Sequence, residues 1–172
     1  MTKPVYVYKG FTIVEILIVT VILGVLFLVA GASYRDFSRR QVLESAVRQV
    51  RSDLNLAREW ASSGRKPDDP LCTGVNESLS AYIFERTGGV GNGCIGAWRN
   101  NYRINVSCTG GDVLDIKVAN LPQSLCLNNF TDIEFRTNAT YTPHSSGVDI
   151  RVNDLVTGRE VVISVDESGA IR

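Results

Sequence analysis

The chain has 172 residues, room for one ordinary domain and a tail but not for two large domains. Eighteen Lys/Arg balance eighteen Asp/Glu, so no overall charge advertises nucleic acid or an anionic surface as a partner. At 44% apolar and 21% charged the composition excludes disorder and collagen, and the lone histidine, His144, leaves little for histidine-based catalysis or metal binding.

Charge is segregated along the chain. Residues 1–10 carry Lys3 and Lys9; residues 11–32 then carry a single charge, Glu15. At about 1.5 Å per helical residue this second stretch is long enough to cross a hydrocarbon core of about 30 Å. The two lysines would hold its short side in the cytoplasm and send the rest of the chain across. A secretory signal would end in a small-residue cleavage site, for which Ala30-Gly31-Ala32 is a weak match. Two features argue against that reading: a helical pattern continues straight past residue 32, and a glutamate sits near the start of the apolar run. A carboxylate in lipid costs about 2–3 kcal/mol or more unless partnered, so a partner is expected for Glu15.

The string Lys-Gly-Phe-Thr-Ile-Val-Glu at residues 9–15 resembles the processing site of type IV prepilins and type II secretion pseudopilins. The resemblance implies that a prepilin peptidase cuts after Gly10 and that the new terminus, Phe11, is N-methylated. It makes Glu15 the fifth mature residue, and residues 1–10 a leader. A free α-amino group is largely protonated at neutral pH. Glu15 of one subunit can therefore pair with the Phe11 amine of its neighbour, which removes two charges that lipid disfavours and rewards assembly in register.

From residue 33 to 64 the pattern is amphipathic. Leu43, Val47, Val50, Leu54, Ala57 and Ala61 step by four and three, with Ala46 and Trp60 widening the stripe. Gly64 and Pro67 are stop signals. One helix is predicted over residues 11–63, its first half (11–32) for lipid or a filament core and its second half (33–64) packed by one face on a head.

Residues 67–172 form that head, in short β-type runs broken by turn residues. Strands are predicted at 81–86, 102–107, 113–119, 133–137, 148–153 and 159–165, with 169–172 as a last edge. Leu114/Ile116/Val118, Val148/Ile150/Val152 and Val161/Ile163/Val165 alternate as strands with one buried face do, and Thr157-Gly158 and Glu167-Ser168-Gly169 read as turns. The fold class is α+β: a long N-terminal helix packed on an antiparallel β head, pilin-like.

Four cysteines in an exported head favour two disulfides, with three pairings open. A hairpin of strands 81–86 and 102–107 brings its outer ends together, favouring Cys72–Cys108 and leaving Cys94–Cys126; each bridge closes a loop worth about 3–4 kcal/mol. The Asn-x-Ser/Thr triplets at Asn76, Asn105, Asn129 and Asn138 read as surface and strand composition. The Gly-rich residues 88–96 lack a following Lys-Ser/Thr and helix and read as a loop.

Residues 33–66 carry a surplus of four cations and residues 67–172 a surplus of five anions. A basic stem and an acidic head suit subunits whose stem meets a neighbour's head; Arg35, Arg39 and Arg40 also suit a headgroup anchor. Residues 52–64, 133–152 and 159–172 resemble the branch of minor pilins and pseudopilins with a helix and an all-β head. Some of that branch bind DNA through a Gly-Arg-x-Arg tail. Here the tail is Gly169-Ala170-Ile171-Arg172, one arginine short. A DNA-binding minor pilin for DNA uptake, with Arg172 as contact, is thus the alternative, and nucleic acid is not the expected partner of an acidic head.

No enzyme, cofactor or metal site is expected: His144 lies in a polar turn, and Asp68-Asp69 and Asp166-Glu167 are acidic pairs on turns without regular ligand spacing. The sequence reads as a structural subunit of a type IV pilus or pseudopilus. Its expected partners are a prepilin peptidase, other pilin subunits, an inner-membrane assembly platform and, before assembly, membrane lipid. It would span the inner membrane once and then join an extracytoplasmic filament or the cell surface.

Overall fold

Helix α1 runs Ile13–Ser62, within two residues of the predicted bounds at either end. Its start is set by Thr12, whose hydroxyl accepts the Glu15 N–H at 3.2 Å. Its end is set by Gly64, which adopts φ 63° where a side chain would be strained. The Arg65 N–H then reaches back to the Trp60 carbonyl (3.1 Å) and the Gly64 N–H to Ala61 (3.2 Å), satisfying two of the last carbonyls. The computed structural model describes residues 10–74, 77–87, 101–128, 130–137, 141–142 and 147–172. The chain divides into two units, with the boundary between Gln41 and Val42 inside α1.

In the second unit the stripe from Leu43 to Ala61 is buried as the spacing requires, with Val50, Leu54 and Ala57 wholly inaccessible. It packs with residues of two antiparallel sheets. The five-stranded sheet has the order β3-β2-β1-β5-β6, from β1 (Leu79–Arg86), β2 (Asn101–Cys108), β3 (Gly111–Asn120), β5 (Ile133–Arg136) and β6 (Tyr141–Thr142). The three-stranded sheet has the order β4-β7-β8, from β4 (Leu125–Leu127), β7 (Val148–Asp154) and β8 (Glu160–Val165). Inward residues of both, among them Tyr82, Phe84, Tyr102, Ile104, Ile133, Ile150 and Ile163, share one core with the helix stripe. Burying each such side chain contributes about 1.5–3 kcal/mol.

Cys72 lies in the short helix α2 (Pro70–Thr73) and is bridged to Cys108, with Cα atoms 5.5 Å apart. The β1/β2 register explains the closure: Leu79 pairs with Cys108, which puts the end of β2 beside the chain entering β1. Cys126 is also disulfide-bonded; Cys94, the partner expected for it, lies outside the described residues.

Several expectations need correction. α2, β4 and β6 were not predicted. The run 114/116/118 does not present one buried face: Val118 is 49% exposed, while Lys117 and Ala119 face the helix. The cause is the pairing with β2: Val118 lies opposite the outward Arg103, while Lys117 and Ala119 lie opposite the buried Ile104 and Tyr102. The ladder also shifts register, Ile104 pairing with Lys117 but Val106 with Val113, accommodated by Asp115 at φ 61°. Asn105, among the triplets read as surface and strand composition, lies in β2 and is 3% exposed, and its amide holds this irregularity in place. It accepts the Asp115 N–H at 2.8 Å and donates to Glu85 at 2.7 Å. The predicted last edge is one bridge, Val165 to Ile171, extended by two bonds between Ser164 and Arg172. His144, the 88–96 loop, Asn76, Asn129 and Asn138 lie outside the described residues.

The core contains one buried charge on the helix. Asp53 is 3% exposed; it accepts the Tyr102 hydroxyl at 2.8 Å and the Lys117 ammonium at 2.6 Å. Burial, followed by the Asp53 carboxylate, pushes the Tyr102 phenol far above its ordinary range, so it remains a donor at all ordinary pH. Two strands are thereby pinned to the helix by directional bonds as well as by apolar contact.

Asp53→Ala leaves a buried hydroxyl and a half-buried ammonium without their acceptor and is expected to cost about 1–3 kcal/mol. Urea denaturation of the detergent-solubilised full chain checks it. By the same assay the double variant Cys72→Ser/Cys108→Ser is expected to lose about 3–4 kcal/mol, through release of the closed loop in the unfolded chain.

Candidate assembly site

Gly10 and Phe11 are exposed and precede the first helical residue, so the peptide bond between them is extended backbone open to another protein. A Cβ at Gly10 would meet nothing within 4 Å. Phe11 itself is 78% exposed. One residue later the chain is committed to helix. Thr12 receives the Glu15 N–H on its hydroxyl and the Ile16 N–H (3.3 Å) on its carbonyl. Thr-x-x-Glu at 12–15 has the form of a capping box, a signal present in the sequence that the motif reading passed over. Glu15 therefore occupies the first turn, where the helix dipole favours a carboxylate. Among the described residues that carboxylate meets no cation.

Beyond Glu15 every described apolar side chain of the first unit lies uncovered. Exposure ranges from 47% at Leu23 to 78% at Leu28, on all sides of the helix. The one internal polar group is satisfied locally, Thr20 donating to the Leu17 carbonyl at 2.9 Å. A helix apolar all round belongs in apolar surroundings. Among the described residues no helix is long and apolar enough to cross a membrane; their apolar side chains run from Ile13 to Leu28, whereas the uncharged run of the sequence continues to Ala32.

The second unit carries two charged surfaces. On the five-stranded sheet, the face turned away from the helix displays Glu85, Arg103, Asp115, Asp132 and Glu134, drawn from four strands. Arg103 lies opposite Glu85 in the β1/β2 pairing, is ion-paired to it, and reaches Asp115 at 3.4 Å. Glu134 pairs with Arg136, also at 3.4 Å. Asp132 is left among like charges: partial burial first, then the Glu85 and Glu134 carboxylates, raise its carboxyl above the ordinary value, against a smaller opposing pull from Arg103. On the part of α1 in this unit, Arg48 pairs with Glu44 (3.7 Å); the Arg40–Asp36 pair (3.0 Å) belongs to the first unit. Arg51 and Arg58 are exposed and meet no carboxylate among the described residues.

Arg172 is not a free cation. Its guanidinium lies 3.5 Å from Asp166, and its backbone is bonded to β8. Asp166 in turn closes the 166–170 turn, accepting the Ser168 hydroxyl (2.6 Å) and the N–H groups of Ser168 and Ala170. Those bonds, with Arg172 a lesser cause, hold its carboxyl below the ordinary value. Nothing in this tail presents clustered cations to a phosphate backbone.

Comparison with known proteins gives three findings. The prokaryotic N-terminal methylation motif matches residues 7–31. The type IV major pilin protein PilE of Neisseria gonorrhoeae is 31% identical over 106 residues, covering 59% of this chain and 62% of that protein. The type IV major pilin protein PilE1 of the same organism is 28% identical over 107 residues, covering 59% and 58%. The chain thus spans about three fifths of the length of these relatives. No solved structure matches it.

Because ionised Asp132 is disfavoured in the folded chain, Asp132→Asn is expected to raise the urea midpoint at pH 7. The gain is small, a few tenths of a kcal/mol at about this degree of exposure. It shrinks as pH falls through the raised carboxyl value and vanishes once both states are protonated.

Proposed function

We propose that this chain, a member of the type IV pilin family, is a structural subunit of a type IV pilus or pseudopilus. It is inserted in the inner membrane by a single span, cut after Gly10 by a prepilin peptidase, N-methylated on Phe11 and polymerised through its apolar helix. The observation that carries this reading is the first half of α1: apolar on every side, uncovered, and carrying one carboxylate in its capped first turn. Lipid covers that surface before assembly, and the helices of neighbouring copies cover it afterwards, with an inner-membrane assembly platform managing the transfer.

The chemistry of the terminus supports this order of events. Before cleavage the Phe11 nitrogen is a neutral amide, so Glu15 has no counter-charge from that source. Cleavage converts it to an amine that is cationic at neutral pH. In an apolar filament core the attraction between this amine and a neighbour's Glu15 far exceeds its value in water. Processing therefore creates the partner that makes a buried Glu15 tolerable, and only a neighbouring copy in register supplies it.

Glu15→Ala is expected to leave cleavage intact, with mass spectrometry finding the mature chain starting at Phe11, while the sheared filament fraction falls by at least about tenfold. Wild-type filament yield from this variant overturns the pairing, and a mature chain starting near Ala32 overturns the whole reading.

A further inference from the structure

The two charged surfaces of the second unit have no role in the pairing of helix termini, and their placement points to a second contact between copies. We infer that the acidic outer face of the five-stranded sheet, centred on Asp132 with Glu85 and Glu134, docks against the Arg51–Arg58 flank of α1 in the next copy. This rests on the proposed polymerisation and adds to it a surface that sets how heads meet.

The argument starts from geometry. The helix stripe Leu43–Ala61 packs on the inner side of the sheet, so the outer side and the Arg51/Arg58 flank are different faces of one unit. Complementary patches that face in different directions favour a heterologous contact over a two-fold dimer. They make a head-to-tail contact, which repeats into a ring or an open helical filament. Arg51 and Arg58 are seven residues apart, two helical turns, and so project from the same side about 10 Å apart along the axis. Beside Arg58 opens a cavity of about 460 Å³, lined also by Asn55, Glu59, Ser62, Arg136 and Ser168, where an incoming carboxylate would find two guanidinium groups and hydrogen-bond donors against the one Glu59 carboxylate.

The acidic face is built to receive cations. Among the described residues of this face Arg103 and Arg136 offset Glu85, Asp115, Asp132 and Glu134, leaving a net negative surface. Asp132, opposed by Glu85 and Glu134 and pulled the other way by Arg103, is the member with most to gain from an incoming guanidinium. A guanidinium offers two parallel donors to a carboxylate, a geometry that fixes orientation as well as adding attraction. Arg51 and Arg58, without carboxylates of their own, are the groups on this unit suited to supply it.

A charge swap in the full-length chain tests the contact by the sheared-filament assay. Arg51→Glu with Arg58→Glu, and separately Asp132→Lys with Glu134→Lys, are each expected to lower filament yield about tenfold by placing like charges opposite one another. The quadruple variant is expected to recover to within about threefold of wild type. Arg51→Gln with Arg58→Gln gives a smaller fall, about threefold, and keeps the test decisive should a reversal misfold. Undiminished yield from the reversals, or a quadruple variant no better than either pair, overturns the inference while the wild-type filaments and the Glu15→Ala loss leave the polymerisation reading standing. Absence of the wild-type chain from filaments sinks both.

Discussion

A helix that is apolar on every side cannot rest in water, and this constraint orders the rest of the molecule. From Phe11 to Leu28 the described side chains have no cover of their own. At about 25 cal/mol per Å² of apolar surface, leaving such a length of helix hydrated is costly enough that some other apolar body must be found for it. The second half of the same helix meets a milder demand. There one stripe, Leu43 to Ala61, is enough, and the chain's own two sheets satisfy it. A single element thus serves two environments because its sequence changes from uniformly apolar to amphipathic without a break in the backbone.

That change was legible because both signals are local. The stripe is a 3.6-residue rhythm read within twenty residues, and β7 and β8 announce themselves by alternation, Val148/Ile150/Val152 and Ile163/Val165, all buried. Short or fully buried elements gave no rhythm: β4 is three residues buried alike, and β6 is two residues long. Val118 was misread because alternation does not say which face is inward; the pairing with β2 sets Val118 opposite the outward Arg103 and Ala119 opposite the buried Tyr102. Asp53 carries no signal of its burial in the local sequence. Its partners Tyr102 and Lys117 lie 49 and 64 residues away, and no window on the sequence joins them.

The candidate site divides in the same way. Gly10, Phe11 and Glu15 stand within six residues, so a short string identifies them. The charged surfaces of the head depend on strand order. Asp132, just ahead of β5, comes near Glu85 because β5 pairs with the distant β1 as well as with β6, and Arg103 joins them through β2. Bulk charge counts gave the sign of stem and head; the fold alone gave the faces. The same accounting gives Arg172, a tail cation in sequence, a carboxylate neighbour in Asp166 across a four-residue turn.

Apolar contact supplies attraction without choosing a register. Helices coated with leucine, isoleucine and valine on every side pack almost equally well after a rotation or a one-turn slide, so dispersion and burial cannot by themselves give a filament one repeat. Directional and charged groups can. Glu15, the single carboxylate in the described apolar run, marks one axial position, since a displaced neighbour leaves it without a counter-charge in a medium where that is expensive. It leaves rotation about the filament axis free. In the proposed filament rotation is fixed by contacts between heads, for which the sheet face and the Arg51–Arg58 flank of the second unit are the candidates. Two contacts of different character, one buried and one hydrated, are together sufficient to specify a helical repeat, and the second is weakened by salt whose Debye length falls from about 10 Å at 0.1 M to about 3 Å at 1 M. The buried contact is screened far less, so ionic strength acts first on how heads meet and only then on whether helices assemble.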